Sequence, residues 1–429
     1  GEALDPEAGQ IFDVNSYTIA AGVEEAGGEP VLYPHVGDDR AALKRVLTEA
    51  ADECDLVLSS GSTSAGAVDV IYRVIEDRGD LLLHGVAVKP GKPMLVGSLG
   101  GSAYIGLPGY PVSALTIFQT FVAPAIREAA GLPEPATGTI TGSMAVRERY
   151  SEGRLRLMPV GLVEDETGEL LVYPVDKGSG ATTSLVEADG VVEIHPDTEF
   201  LDVGESVDVR LFSADVRPPT LLGVGEDDPL LWRLLDALER PRYLPVGSRE
   251  GLRRLRNGIP DVAVAAGPSE REVEAEPLGG WSREWGLIVP AGNPAGIDGV
   301  GALIDRDLRF VNRDRASGLR ASLDAAIDQL AAERDADRSA LTEAIDGYSL
   351  TVKGYESPAR KVRDSKADVG LGLRVTADDL DLGFVPVGEQ AVRVLAHPER
   401  ADKPGIERLA AALEGLDGDV DDLDGFTIQ

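Results

Sequence analysis

The sequence is poor in cysteine, in aromatic residues and in basic residues. Its single cysteine, Cys54, excludes a disulfide framework. No apolar run approaches the roughly 18 residues of a membrane-spanning helix, and no secretory leader is visible, so we expect a cytoplasmic protein without a membrane partner. Lys and Arg number 41 against 74 Asp and Glu, a formal net charge of -33. Because such a charge repels a phosphate backbone, we expect no nucleic-acid partner.

The acidic residues are spread along the chain and not gathered in one tail, which argues against disorder. Acidic surfaces stay soluble under heavy ionic screening, so this composition favours adaptation to a salt-rich cytoplasm. An ordinary acidic protein is the alternative. With 429 residues, 43% of them hydrophobic, the chain is long enough for about two to four domains.

Three parts differ in the order of their predicted elements, and we expect an α/β protein. Residues 1–132 alternate strands and helices, which predicts a mostly parallel sheet with helices on both faces; it includes a strand at Pro30–Tyr33 and a helix from about Asp69 to Asp77. Residues 133–216 consist of short alternating segments, which predicts a small β-barrel or sandwich. Alternation of strands and helices returns over residues 217–429.

Two loops rich in Pro and Gly follow apolar runs in the first part. We call them the KPGK loop, residues 89–92, and the LPGYP loop, residues 107–111, which leads into a helical stretch. Ammonium groups, backbone N–H groups and a helix start together attract an anion. We therefore predict a phosphate site formed by Lys89, Lys92, Pro108, Gly109 and Ser113. Solvated surface lysines are the alternative.

Two further segments of the first part carry small polar side chains. The Gly/Ser loop, residues 60–66, follows a predicted strand, and its small residues let backbone amides approach a phosphate. The segment 9–17 contains polar residues that could line a pocket, with helix capping as the alternative for Asp13 or Asn15. The predicted contributors from these segments are Asp13, Asn15, Ser60, Gly61, Ser64 and Gly66.

Two carboxylates accompany these loops. Asp38 precedes a predicted helix, and Asp69 lies three residues after Gly66. Paired carboxylates beside a phosphate site could hold Mg²⁺, which neutralises charge on a leaving phosphate. Helix capping is the alternative for both residues.

These segments together resemble the MoeA/gephyrin family of molybdenum insertases. Residues 9–17 are similar to the family's GQIYDSNSY segment, and residues 60–66 to its SGGVSVG loop. The resemblance covers residues 1 to about 211, and the sequence resembles halophilic archaeal forms of the family. It implies a MoeA/MogA-like three-layer αβα domain that binds molybdopterin, MoeA domain III-like, followed by a domain IV-like β domain. Three residues depart from the family pattern: Ser62, Gly85 and Tyr110.

The resemblance implies a molybdopterin molybdenumtransferase. This enzyme joins molybdate or tungstate to adenylated molybdopterin and releases AMP, with Mg²⁺ as cofactor and a homodimer as the expected assembly. The resemblance assigns catalytic roles to Asp38, Asp69, Lys89 and Lys92, and the metal to the two aspartates. Two alternatives stay open: a non-catalytic regulator that binds molybdate or tungstate on a degenerate insertase scaffold, and a molybdopterin adenylyltransferase, which would not need the β domain.

Residues 217–429 resemble a periplasmic-binding-protein-like domain of the LysR substrate-binding type. The segment 312–320 is similar to an NRxxGSGTR signature, and residues 247–252 and 367–372 also carry the resemblance. Hydroxyls, helix starts and guanidinium groups there would surround one oxyanion. The predicted oxyanion site consists of Ser248, Arg313, Ser317, Gly318 and Arg320. A surface ion pair for Arg313 and a helix cap for Ser317 are the alternatives.

Overall fold

The computed structural model describes residues 13–36, 39–61, 65–135, 138–165, 167–175, 187–268, 273–416 and 423–428; Arg40 and residues 65–70 are described by their backbone alone. The chain divides into two compact units, 1–162 with 170–217 and 163–169 with 218–429. Within the described ranges, no helix combines the length and the apolar character needed to cross a membrane.

The first unit begins with a four-stranded sheet and its helices. Its helices are α1 Asn15–Glu25, α2 Arg40–Glu53, α3 Ala65–Arg78, α4 Pro111–Ile117 and α5 Ala123–Ala129, the last two joined by a π-helical turn. Its strands are β1 Leu56–Ser60, β2 Leu81–His84, β4 Leu95–Leu99 and β5 Ser102–Leu107, in the order β1-β5-β4-β2; β3 Val88–Lys89 lies outside this sheet.

The expectation of a mostly parallel sheet is wrong for the described strands. Only β1 and β5 are parallel, whereas β4 pairs antiparallel with both β5 and β2. The cause is local: Gly100 and Gly101 both have positive φ and connect β4 to β5 as a two-residue hairpin. The strand expected at Pro30–Tyr33 is also absent, and α3 begins at Ala65 instead of Asp69.

Helices cover both faces of this sheet, as the sequence predicts. On one face, Leu47 of α2 and Val74 of α3 pack with Leu95 and Tyr104 of the sheet. On the other face, α1 and α4 contribute Ile19 and Ile117 to a second cluster. Because side chains alternate along a strand, β4 and β5 supply residues to both clusters, and three layers result.

The rest of the first unit is a closed barrel. Its strands are β6 Thr139–Met144, β8 Leu155–Glu164, β9 Leu170–Pro174, β10 Gly190–Ile194 and β12 Ser206–Leu211, while β7 Glu148–Arg149 and β11 Phe200–Leu201 pair separately. The pairing of β10 with β8 closes the sheet. Strand β3 joins its edge in parallel, with Val88 opposite Leu155 and Lys89 opposite Arg156. The KPGK loop therefore begins on the barrel.

The second unit has one nine-stranded sheet, ordered β14-β13-β15-β20-β16-β19-β17-β18 with β21 beside β16. Its strands are β13 Leu221–Gly225, β14 Pro241–Leu244, β15 Val262–Ala266, β16 Glu276–Val289, β17 Phe310–Arg313, β18 Thr351–Val352, β19 Val369–Leu373, β20 Gly383–Ala396 and β21 Phe426–Ile428. Its helices are α6 Pro229–Asp236, α7 Ser248–Arg256, α8 Gly301–Asp305, α9 Gly318–Arg334, α10 Arg338–Glu343, α11 Ser357–Arg363, α12 Arg374–Asp379 and α13 Pro404–Glu414. The antiparallel pair β16 and β20 joins the two halves of the sheet.

The acidic composition predicts that salt stabilises the fold. Raising KCl from about 0.15 M to about 1 M shortens the Debye length from about 8 to 3 Å and so screens the repulsion within a chain of formal net charge -33. We expect the Tm to rise by at least about 4 °C, equivalent to roughly 1 kcal/mol in a domain of this size. Differential scanning calorimetry measures it, with an osmotically matched sorbitol series as the control. A Tm that falls with KCl contradicts the salt-adaptation hypothesis.

Candidate functional site

Three of the predicted segments meet at one end of the first sheet. The Asn15 amide, at the start of α1, donates to Ser60 Oγ at 2.6 Å and to the Gly109 carbonyl at 2.9 Å. The Ser60 hydroxyl donates to the Pro108 carbonyl at 3.2 Å. Ser60 is the last residue of β1 and Pro108 directly follows β5; these two strands are parallel, and the carboxyl ends of parallel strands form the common ligand edge of such sheets. The structure thus brings together Asn15, Ser60, Gly61, Pro108 and Gly109.

This cluster has a free acceptor and room beside it. Asn15 Oδ1 is buried and has no hydrogen-bond partner among the described residues. Gly61 and Gly109 are exposed and closely apposed: a Cβ added to Gly109 would lie 3.1 Å from the Gly61 Cα atom. A ligand can therefore approach the exposed backbone of Gly61 and Gly109.

The Asp13 side chain forms the hydrogen bonds of a helix cap. Its carboxylate accepts from the Ser16 backbone N–H at 3.0 Å and from the Ser16 hydroxyl. This favours the capping alternative for Asp13, although its side chain is exposed beside the cluster formed around Asn15.

The carboxylates predicted to hold a metal are described only in part. Asp38 and Ser64 lie outside the described residues. The cap of α2 is Asp39, whose side chain accepts from the backbone N–H groups of Ala41 at 2.9 Å and Ala42 at 3.2 Å. Asp69 lies in the second turn of α3 instead of at its start, so it does not cap that helix, and Gly66 lies in its first turn.

The KPGK loop packs tightly against α4. Gly91 has a φ of +121°, and a Cβ there would lie 2.3 Å from Ile117 Cγ1. The Val86 backbone N–H donates to the Lys92 carbonyl at 2.9 Å. The Lys92 side chain is exposed. Gly85 has a φ of +84°, a conformation that a lysine at this position would adopt only with strain.

The other lysine of the KPGK loop, Lys89, pairs with a residue of the β domain. Lys89 forms an ion pair with Glu152, and its amine lies 5.7 Å from the centroid of the Tyr150 ring. The hydrogen bond from Lys89 lowers the pKa of the Glu152 carboxyl. An anion that binds Lys89 must therefore compete with Glu152.

The remaining candidate is Ser113, in the helix that follows the LPGYP loop. It lies in the first turn of α4 and is buried, whereas the neighbouring Tyr110 is 65% exposed. Among the described residues, no group of three or more His, Cys, Asp or Glu side chains could hold a metal ion.

In the second unit, the predicted oxyanion donors converge on a carboxylate of the protein. Glu226 directly follows β13 and is fully buried. Its Oε2 atom accepts from Ser248 Oγ at 2.7 Å and from the Gly318 backbone N–H at 2.8 Å. Its Oε1 atom accepts from Ser317 Oγ at 2.8 Å. Ser317 is also the N-cap of α9, as the capping alternative predicts.

The two predicted arginines differ in their surroundings. Arg313 is buried; its Nη2 donates to the Lys353 carbonyl at 2.8 Å, and its Nε and Nη1 have no hydrogen-bond partner among the described residues. The surface ion pair considered for Arg313 is therefore wrong. The guanidinium of Arg320 donates to Asp324 Oδ1 at 3.0 Å and to the Tyr348 carbonyl at 3.1 Å.

The residues that complete this network were not predicted from the sequence. Arg283 of β16, with no exposed surface, donates to Asp228 Oδ2 at 2.6 Å, to Glu226 Oε1 at 3.4 Å and to Gln390 Oε1 at 2.6 Å. Burial raises the pKa of Glu226, but Arg283 and Arg313 outweigh it, so this pKa is lowered. Burial prevails at Asp228, whose pKa is raised. The sequence did contain a signal for Arg283. It lies at alternate positions with Trp281 and Trp285, so the three side chains share one face of the strand.

Comparison with known families assigns the two halves of the chain. Residues 1–128 match a probable molybdopterin binding domain, and residues 141–212 match the MoeA C-terminal region, domain IV. The first half of this chain matches the MoeA family. Residues 238–414 match the PBP superfamily domain. The residues around Asn15 and the KPGK loop thus lie in the MoeA-like half. The Glu226 network lies in the second unit; Glu226 and Asp228 precede the residues that match the PBP superfamily domain, and Arg283 lies within them.

The MoeA-like half has relatives in bacteria and archaea. It is 32% identical over 217 residues to molybdopterin molybdenumtransferase 2 of Mycobacterium tuberculosis, covering 49% of this chain and 52% of that protein. Identity to the molybdopterin molybdenumtransferase of Haemophilus influenzae is 28%, over 48% of this chain and 52% of that protein. A crystal structure of the molybdopterin biosynthesis MoeA protein from Pyrococcus horikosii is 36% identical, with a TM-score of 0.43 over 50% of this chain and 51% of that one. The chain spans about half the length of the curated relatives it matches.

Proposed function

We propose that this protein acts in molybdenum cofactor biosynthesis, by inserting molybdate or tungstate into adenylated molybdopterin with release of AMP. The observation that carries the proposal is the meeting of Asn15, Ser60 and Gly109, three residues from separate segments, at the carboxyl ends of β1 and β5. The free acceptor Asn15 Oδ1 suits the N–H groups of a pterin, and the exposed backbone of Gly61 and Gly109 suits a phosphate.

The joining of the KPGK loop to the barrel supports the insertase over the adenylyltransferase. Strand β3 pairs with the barrel strand β8, and Lys89 forms its ion pair with Glu152, in the segment that connects β7 to β8. An adenylyltransferase would not need the β domain. We therefore propose three parts, 1–132, 133–216 and 217–429, of which the first two act together.

In the proposed reaction, water cleaves the phosphoanhydride bond of the adenylated pterin and AMP leaves, while the two dithiolene sulfurs replace an oxygen of molybdate, which leaves as water with the protons of the sulfurs. Lys92, whose side chain is exposed, would bind phosphate oxygens, and Lys89 would do so in competition with Glu152. Mg²⁺ would neutralise charge on the leaving phosphate, with Asp38 and Asp69 as its proposed ligands. The homodimer and the cytoplasmic location also remain predictions.

Substitution of Asp69 tests the catalytic proposal. We expect Asp69→Asn to slow molybdate-dependent AMP release by about 100-fold or more, because metal-assisted charge stabilisation contributes several kcal/mol and each 1.4 kcal/mol is tenfold in rate. AMP is quantified by chromatography, with adenylated molybdopterin as the substrate in concentrated KCl.

Asp77→Asn is the matched control. Asp77 lies on the same helix, is exposed and forms an ion pair with Lys44 at 2.6 Å. It should leave the rate within about twofold of wild type, because an exposed ion pair contributes at most about 1 kcal/mol to stability. Equal rates for wild type and Asp69→Asn would rule out the assigned role of Asp69.

A further inference from the structure

The carboxylate of Glu226 has the surroundings of a bound anion. It lies where two helices begin: the Ser248 backbone N–H at the start of α7 donates to Oε2 at 3.2 Å, and the Gly318 backbone N–H at the start of α9 donates to the same atom at 2.8 Å. Two hydroxyls, from Ser248 and Ser317, also donate to it, at 2.7 and 2.8 Å. Helix starts and hydroxyls are the groups by which proteins bind small oxyanions.

The position leaves no room for a second anion. Glu226 has 0% exposed surface, and α9 approaches β15 so closely that a Cβ on Gly318 would lie 2.3 Å from the Ala266 carbonyl oxygen. The Glu226 oxygens already accept five hydrogen bonds from four residues: Ser248, which donates twice, Arg283, Ser317 and Gly318. An external oxyanion would have to displace this carboxylate.

The charges in the network are already balanced. The buried cations are Arg283 and Arg313, and the buried carboxylates beside Arg283 are Glu226 and Asp228. A molybdate dianion added to this set would give these buried groups a formal net charge of about -2, which costs several kcal/mol per unpaired ion.

We propose that Glu226 is a built-in anion that replaces an external oxyanion in the second unit. It holds α7 and α9 together without a ligand, and it prevents molybdate from binding at Ser248, Ser317 and Gly318. The last domain of this chain is then a permanently closed module and not a molybdate receptor. This inference does not depend on the reaction proposed for the MoeA-like half.

Tryptophan fluorescence of the full chain reports on the second unit, which contains this site. The three tryptophans of the sequence, Trp232, Trp281 and Trp285, all lie in the second unit, and Trp281 Nε1 donates to Asp228 at 3.3 Å. Molybdate that binds in the first unit therefore leaves this signal unchanged. The probes are sodium molybdate and potassium acetate, added in place of KCl at constant ionic strength.

Glu226→Ala removes the two carbons and the carboxylate oxygens that acetate supplies. We expect acetate and molybdate to change the fluorescence of this variant and to raise its Tm, with half-maximal effects at concentrations at least tenfold below the highest at which wild type is tested. Wild type should not respond to either. Glu226→Gln keeps the volume but loses the charge, so it should have a lower Tm than wild type and no response to anions.

Glu250→Ala is the control, because Glu250 is a carboxylate on the same helix α7 that pairs only with Arg253 and Arg254 among the described residues. It should behave as wild type. Three results would overturn the proposal: a molybdate response of wild type that Arg313→Met abolishes, a Glu226→Ala variant that acetate neither folds nor stabilises, and a Glu226→Gln variant as stable as wild type.

Discussion

Arg283→Met should lower the free energy of unfolding of the second unit by about 3–5 kcal/mol, the usual cost of removing one partner from a buried ion pair. Arg283 has 0% exposed surface and pairs with both Glu226 and Asp228. Its loss therefore leaves two buried carboxylates with less positive charge to offset theirs. Urea unfolding followed by tryptophan fluorescence measures the change, because the tryptophans lie only in this unit.

The cost of Arg283→Met should shrink in acid. Without the guanidinium, the pKa values of Glu226 and Asp228 rise, and protonation then relieves the unpaired charge as the pH falls from 7 towards 4. In wild type, Arg283 and Arg313 lower the pKa of Glu226, so the stability that its ionised form contributes is lost only as the pH falls below its ordinary value.

Arg334→Met is the control for this variant. Arg334 forms an equally close pair with Asp305, at 2.7 Å, but on the surface. It should cost less than about 1 kcal/mol. If the two variants lose similar free energies of unfolding, burial does not determine how much the Arg283 ion pairs contribute to stability.

Gly91→Ala should slow AMP release by about 100-fold, the effect expected when a catalytic group moves by about 1 Å. A Cβ at Gly91 meets Ile117 Cγ1 at 2.3 Å, and α4 is anchored by the buried Ile117, so the KPGK loop must move. Overpacking and the positive φ should also lower the free energy of unfolding by about 1–3 kcal/mol.

Gly101→Ala separates conformation from packing. Gly101 has a φ of +110° in the same unit, close to the +121° of Gly91, but a Cβ there meets nothing within 4 Å. We expect this variant to be less stable than wild type, because alanine adopts a positive φ only with strain. Its rate of AMP release should stay within about twofold of wild type. A rate unchanged in Gly91→Ala would mean that the position of the KPGK loop does not limit the reaction.

The parts of this fold that were predictable from sequence depend on local patterns. Helix α2 and strands β1 and β13 have short-range apolar periodicity, and Ser317 precedes its helix as a cap should. The loops that meet at Asn15 were also predictable, because carboxyl ends of parallel strands share one edge. The antiparallel β4–β5 hairpin was missed, although Gly100-Gly101 is a hairpin signal.

The Glu226 network could not be predicted from local patterns. Glu226 and Arg283 are 57 positions apart, and Arg283 and Gln390 are 107 apart. Only the sheet order places β13, β16 and β20 so that these side chains meet. Ser248, Ser317 and Gly318 were identified as anion donors, whereas the anion they bind is supplied by the protein.

The most direct test of the account is AMP release by the wild-type protein from adenylated molybdopterin in concentrated KCl, measured with and without molybdate. We predict release that requires molybdate, together with tryptophan fluorescence that molybdate leaves unchanged. Absence of release from the folded protein, with molybdate instead changing the fluorescence of the second unit, would contradict both the insertase function and the built-in anion.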